Sequence, residues 1–246
     1  MITSLQNGYV KRWKKLKRRR GREKERAFLV EGFHLVEEAL KSDWTVQEIV
    51  IREDINIQNE WQGYKYVQVT NEVFQEIADT DHPQGVAAVV EMKEMEWEGA
   101  NRVLLLDSIQ DPGNLGTIIR TADAAGFDAI MLGKGTVDPY NDKVIRSTQG
   151  SIFHLPVFQE ELEEIIPSMR QEGTTVWATS LQGATPYMEK TIPDEPFALL
   201  VGNEGSGVQE ELLQLADERV NIPMYGQAES LNVAVATGIL LYAMRG

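Results

Sequence analysis

The side chains able to do chemistry in this 246-residue chain gather in three short polar segments between residues 111 and 232. They are Asp111-Pro-Gly-Asn-Leu-Gly-Thr-Ile-Ile-Arg120, Val201-Gly-Asn-Glu-Gly-Ser-Gly207, and Ile222-Pro-Met224 followed by Ser230-Leu-Asn232. Their groups include three amides (Asn114, Asn203, Asn232), the carboxylate of Glu204, the guanidinium of Arg120 and the hydroxyl of Ser230. The run from Gly202 through Gly205 to Gly207 has the character of a ligand loop, because glycines let backbone N–H groups approach a bound group at a helix N-terminus. The spacing is not G-x-G-x-x-G, and G-x-x-x-x-G-K-[ST] occurs nowhere in the chain. An ordinary tight turn would use the same glycines, Ser230 would serve equally as a helix N-cap, and a helical arginine such as Arg120 is often only a surface group.

The elements that must position these groups are legible as alternating apolar runs and helical patterns. Val103 to Leu106, Ala129 to Leu132, Thr175 to Thr179, Phe197 to Val201 and Val220 to Ile222 are unbroken apolar or β-branched runs, as in strands covered on both faces. Leu115 to Ala125, closed by Gly126, and the amphipathic stretches Glu160–Gln171 and Val208–Ala216 separate them as helices. Ser230 to Met244 is apolar nearly all round, which predicts burial in the core or against a partner chain. Each polar segment follows a strand and opens a helix, so the three should meet at one edge of a parallel sheet flanked by helices.

The first half reads as a small α/β module. Strands are expected at Ala27–Val30, Val46–Ile51, Tyr64–Val69 and Val86–Met92, and helices at Gly32–Lys41 and Asn71–Ala78. A polar stretch over 93–102 marks a boundary. The expected division is a basic segment over 1–20, a small domain over 21–95 and a larger α/β domain over 96–246.

Composition bounds the function. Cysteine is absent, and His34, His82 and His154 are scattered, so neither a disulfide framework nor a bound metal is expected. No apolar run reaches the ~18 residues of a membrane span, and no signal peptide is evident, which points to a cytoplasmic protein without membrane association. The net charge of −14 hides an asymmetry: residues 11–26 hold eleven of the 24 Lys and Arg against two Glu, and the remainder of the chain carries −23. An acidic body with one dense basic segment suits a polyanion, since the segment displaces condensed counterions while the body repels misplaced phosphate. A solvated arm, or a contact between the arm and the acidic body, would produce the same pattern. Trp13 offers a base-stacking surface or a core anchor.

Taken together, the three polar segments resemble the three motifs of the SpoU-type, or TrmH-like, RNA 2'-O-ribose methyltransferases of the SPOUT class, in order and with family-like spacing over residues 102–245. Val144-Ile-Arg-Ser-Thr-Gln-Gly-Ser-Ile-Phe-His-Leu-Pro156 also resembles the family. Residues 21–92, with Phe28-Leu-Val-Glu-Gly and His82-Pro-Gln-Gly-Val86, are similar to its appended RNA-binding domain of the ribosomal-protein L30e-like type.

The resemblance implies a deep trefoil knot in the C-terminal domain, a homodimer paired through knot-region helices, and S-adenosylmethionine as methyl donor. The donor would lie near Ser180, Gly202, Asn203, Gly205, Ile222, Met224 and Leu231, held largely by backbone groups with apolar walls around its adenine. Arg120 would take the ribose hydroxyl proton, or bind the adjacent phosphate and polarise the hydroxyl. The second role fits a group that stays protonated and has no acceptor. Asn114 would orient Arg120 or the ribose, Glu204 would position loop or substrate, and Ser230 and Asn232 would complete the polar wall. Lys14, Lys15, Lys17, Arg18, Arg19, Arg20 and Arg146 are the expected RNA contacts. Ribosomal RNA is the expected substrate, with tRNA and a non-catalytic RNA-binding or ribosome-assembly role as alternatives.

Overall fold

A computed structural model describes residues 1–245, and contacts divide the chain into two compact units, residues 1–94 with 140–153, and residues 95–139 with those from 154 onward. The first unit opens with α1 (Gly8–Leu16) and α2 (Arg19–Glu25). The basic run is therefore two helices and not an extended arm. Val10, Trp13 and Leu16 recur every three residues among the cations, and all three are buried, so the segment carries its own apolar stripe. Trp13 is a core anchor.

The rest of this unit comprises β1 (Ala27–Glu31), α3 (Phe33–Lys41), β2 (Val46–Arg52), β3 (Tyr66–Val69), α4 (Asn71–Ile77) and β4 (Val86–Glu91). Its sheet runs β1-β4-β2-β3, antiparallel except for the β2–β3 pair. The third strand starts at Tyr66 and not Tyr64, because buried Trp61 ends a short 3-10 turn whose carbonyl accepts the Tyr64 N–H at 3.0 Å. Glu48, in the middle of β2, fastens α1 to the sheet. Its carboxylate is fully buried and accepts from Trp13 Nε1 (2.8 Å), Arg12 Nη1 (3.2 Å) and Lys65 Nζ (2.6 Å). Donors on both oxygens, Arg12 and Trp13 on Oε1 and Lys65 on Oε2, make such a buried charge tolerable.

The second unit contains β5 (Arg102–Leu106), α5 (Pro112–Ala124) and β6 (Ala129–Leu132). The chain then leaves it for residues 140–153, whose helix α6 (Asp142–Thr148) belongs to the first unit. It returns with β7 (Val157–Gln159), α7 (Leu162–Gln171), β8 (Thr175–Thr179), β9 (Thr185–Pro186), β10 (Phe197–Val201), α8 (Glu210–Leu213), β11 (Glu218–Asn221) and α9 (Val233–Ala243). The sheet order is β7-β6-β5-β10-β8-β11-β9, and every pairing is parallel. Buried residues along the whole of β6 and β10 confirm cover on both faces.

Four elements differ from the pattern in the sequence. The stretch Val208–Ala216 is helical only over Glu210–Leu213, because the Asp217 N–H donates to the Val176 carbonyl (2.8 Å) and draws the chain into β11. The last helix starts at Val233 because Asn232, not Ser230, is its N-cap and accepts from Ala234 N (2.9 Å) and Val235 N (3.3 Å). The short strands β7 and β9 carry too few residues to show a period.

The register sets the site. Leu106 lies beside Val201, Leu200 beside Ala178, and Thr179 beside Val220, so the four strands β5, β10, β8 and β11 end level with one another. The segments that follow them emerge side by side at the carboxyl edge.

Removing the Glu48 acceptor tests the anchor of α1. Glu48→Ala should cost about 3–5 kcal/mol in urea unfolding, the usual scale for stranding the partners of a buried ion pair. A loss below about 1 kcal/mol would contradict the anchoring role.

Candidate active site

The loop between β10 and α8 is fixed to the end of β5 at two points. Asp107 is buried and accepts from the Gln209 N–H (2.8 Å) and Gln209 Nε2 (2.6 Å). Ser108 takes a left-handed backbone (φ 57°), and its carbonyl accepts from Asn203 Nδ2 at 2.7 Å. Such a conformation is uncommon for serine and is held here by its surroundings. Within the loop, Asn203 Oδ1 accepts from Gly205 N (2.8 Å) and Ser206 N (3.1 Å), and Asn203 and Gly207 exchange backbone hydrogen bonds. A Cβ on Gly202 would lie 2.1 Å from the Gly207 carbonyl carbon, and Gly207 has φ +73°. The loop's own closure therefore accounts for Gly202 and Gly207, whereas Gly205 faces nearly open space.

Glu204 projects from this loop to the start of α5. Its carboxylate accepts from the Asp111 N–H (3.1 Å), the Gln110 N–H (3.3 Å) and Asn114 Nδ2 (3.1 Å). Asp111 caps the same helix through the Asn114 N–H (2.8 Å). Asn114 Oδ1 in turn accepts from Asn232 Nδ2 at 3.0 Å, at the start of α9. Asn232, Asn114 and Glu204 thus form one relay that joins all three polar segments. Burial pushes the Glu204 carboxyl up, but donation from Asn114 and from its own, Asp111 and Gln110 backbone N–H groups outweighs it, and the pKa lies below the ordinary glutamate value.

The other expected residues stand around this relay. Arg120 is exposed on α5 and makes no hydrogen bond or ion pair with another described residue, Asn114 included. Ser230 is exposed and stands outside the relay. Ser180 follows β8, with its N–H on the Val220 carbonyl (3.0 Å) and its hydroxyl on the Gln182 carbonyl (2.8 Å). Ile222, Met224 and Leu231 are half-buried in the segment after β11, and Asn221, next to Ile222 in the chain, has an Oδ1 that is buried without a partner among the described residues. That unmet acceptor, the half-buried apolar side chains of the same segment and the level strand ends fit a ligand with polar N–H or O–H groups and a flat apolar part. Arg146 belongs to the first unit and pairs with Asp142 at 2.8 Å. Among the described residues, no group of three or more His, Asp or Glu could hold a metal ion.

Asp107, Ser108, Gln110 and Gln209 were not among the expected site residues. Asp107 had a signal, a carboxylate directly after the apolar run of β5. Gln209 had none, because its role depends on a partner 102 residues away.

A seven-stranded parallel sheet with ligand-type loops at one carboxyl edge defines an α/β enzyme of the SPOUT methyltransferase class, as its structural relatives show. The AdoMet-bound rRNA methyltransferase from Sinorhizobium meliloti superposes with a TM-score of 0.89 at 36% identity, over 99% of this chain and 96% of that one. The SpoU methyltransferase AviRb from Streptomyces viridochromogenes, in complex with AdoMet, gives 0.87 at 27% identity, over 98% and 97%. The 23S rRNA (guanosine(2553)-2'-O)-methyltransferase RlmP of Bacillus subtilis is 49% identical over 100% of this chain and 99% of its own. The SpoU rRNA methylase family profile matches residues 101–242, and an MRM3-like substrate binding domain matches residues 7–88. The chain belongs to the SpoU rRNA methylase family.

The lowered pKa of Glu204 gives a pH test. Its ionised form is the one the fold favours, so the stabilisation is complete above the ordinary glutamate range and is lost as pH falls through the lowered value. Hydrogen-exchange protection of the Gln110 and Asp111 amides should fall over that window, and Glu204→Gln should abolish the pH dependence. Unchanged protection in the wild-type protein would show that the carboxylate does not hold the start of α5.

Proposed function

We propose that this chain transfers the methyl group of S-adenosylmethionine to a ribose 2'-hydroxyl of ribosomal RNA. A guanosine of 23S rRNA, the substrate in the name of the Bacillus subtilis relative, is the proposed target. The observation that carries this is the Asn232–Asn114–Glu204 relay, which ties the three family motifs together beside the loop ends that fit the donor. Ser180, Gly202, Asn203, Gly205, Ile222, Met224 and Leu231 hold S-adenosylmethionine, largely through backbone groups, with the half-buried apolar residues against its adenine. When bound, the donor supplies a methyl group made electrophilic by a sulfonium.

The protein's own work is alignment and proton handling. In that displacement the methyl carbon would pass from sulfur to the hydroxyl oxygen, the neutral thioether would leave, and the hydroxyl proton would go to solvent water. Arg120 is free to meet the RNA, and its guanidinium binds the adjacent phosphate and polarises the hydroxyl. The relay holds α5, and so Arg120, at a fixed place relative to the donor loop. Ser230 lines the entrance beside it.

Two copies pair through α9. Val235, Ile239 and Tyr242 lie on one stripe of that helix and are 53%, 37% and 58% exposed, while Val233, Ala234, Thr237, Leu240 and Leu241 face the core. An unpartnered apolar stripe of this kind supports a dimer face. The return of α9 to pack on α5 is in keeping with the trefoil knot of the class. No helix among the described residues is long and apolar enough to cross a membrane, and the proposed site of action is the cytoplasm.

Ribose methylation mapped by mass spectrometry in rRNA from cells with and without the gene, then restored with purified protein, tests the reaction. One 2'-O-methyl mark should vanish and return; no change in rRNA would overturn the assignment. Arg120→Ala should slow methyl transfer by roughly 10²- to 10⁴-fold with donor binding nearly unchanged, and undiminished turnover would remove Arg120 from the mechanism. Ile239→Glu should convert the dimer to a monomer by light scattering; a dimer that persists would place the interface elsewhere.

A further inference from the structure

The basic segment is divided by its own fold into cations that hold the unit together and cations that are left free. Arg12 pairs with Glu25 and Glu48, Lys14 with Glu76, Lys17 with Asp79 and the Ala78 carbonyl, Arg19 with Glu23, and Arg26 with Glu94. Arg22 is buried and donates to the Leu16 carbonyl. Lys11, Lys15, Arg18, Arg20 and Lys24 are all exposed, and none pairs with a carboxylate among the described residues.

Their positions are not random. On α1 the buried residue at the centre of the turn is Trp13, and Lys11 and Lys15 stand two residues before and after it. On α2 the buried residue is Arg22, and Arg20 and Lys24 stand two before and two after. At about 100° per residue, a step of two places a side chain roughly 160° from the buried one when counted either way. Both pairs therefore point directly away from the core, and Arg18 sits at the junction of the two helices. The helices pack on one another, and Glu48 fixes the first of them to the sheet, so these charges are held in place before any partner arrives. Pre-ordering spares the entropy that a flexible arm would lose on binding.

We propose that Lys11, Lys15, Arg18, Arg20 and Lys24 form a rigid phosphate-tracking surface for the RNA backbone, and that Lys14 and Lys17, although in the same run, are structural. The occupant is a nucleic-acid strand because exposed cations on two ordered helices match a chain of regularly spaced phosphates, and the −23 outside residues 1–26 confines such a chain to this stripe. The surface rests on the RNA-methyltransferase function proposed above and adds to it the residues that bind substrate away from the chemistry.

The test measures binding of full-length protein to single-stranded poly(U) as a function of salt. Replacing all five residues by Gln should lower the slope of log K against log salt by about 3.5, from ~0.7 per phosphate contact on a single strand. Lys11→Gln with Lys15→Gln alone should lower it by about 1.4, which keeps the test valid should the fivefold variant fold poorly. Lys14→Gln with Lys17→Gln should leave the slope within 0.5 (about one contact or less) and lower the thermal midpoint instead. An unchanged slope in the free-cation variants, or a slope lost through Lys14 and Lys17, would overturn the surface. So would salt-sensitive binding of phosphatidylserine vesicles with poly(U) ignored. A wild-type protein that binds poly(U) through these five residues yet methylates no rRNA would retire the enzymatic assignment and leave the surface standing.

Discussion

The orientation of one primary amide, that of Asn114, is the constraint on which the sheet-edge site depends. A carboxylate can only accept and a backbone N–H can only donate, so the two ends of the relay are polarised by chemistry. Asn232 must turn its oxygen to the N–H groups of α9, which leaves its amide nitrogen for Asn114. Asn114 then presents oxygen to Asn232 and nitrogen to Glu204. Reversing Asn114 would set nitrogen against nitrogen and oxygen against carboxylate. The starts of α5 and α9 and the loop after β10 are thus locked by a single consistent set of donors and acceptors. Asp107, reaching Gln209 from below, keeps the far end of that loop in place.

A second carboxylate, this one buried, does the equivalent work in the other unit. Glu48 converts a basic, apparently solvated run into a fixed helix, and the consequence is a surface whose charges are sorted by geometry. The two carboxylates differ in setting. Glu48 is sealed among charged donors, whereas Glu204 remains exposed enough to respond to pH.

Much of this was legible in the sequence because it is local. Fully apolar runs gave the central strands, and the glycines and asparagines that must adopt tight turns gave the motifs. What was hidden depends on distant partners or on masking. The stripe Val10, Trp13 and Leu16 is obscured by the lysines between its members, and Gln209 and Glu48 look like ordinary surface residues until their partners are in view. Asn232, and not Ser230, caps the helix because its amide, one bond longer than a serine hydroxyl and polar at both ends, can cap α9 with oxygen and reach Asn114 with nitrogen. Arg120 is legible by motif alone; that it has no partner among the described residues can be seen only in the fold.

A double-mutant cycle on Asn114→Ala and Asn232→Ala, read as single-turnover methyl transfer to rRNA, tests the relay most directly. Residues acting as one unit should show strong coupling, about 1 kcal/mol or more, with the double variant little slower than the slower single one. Rate losses that simply multiply would mean that the two amides work independently, and that the relay does not organise the site.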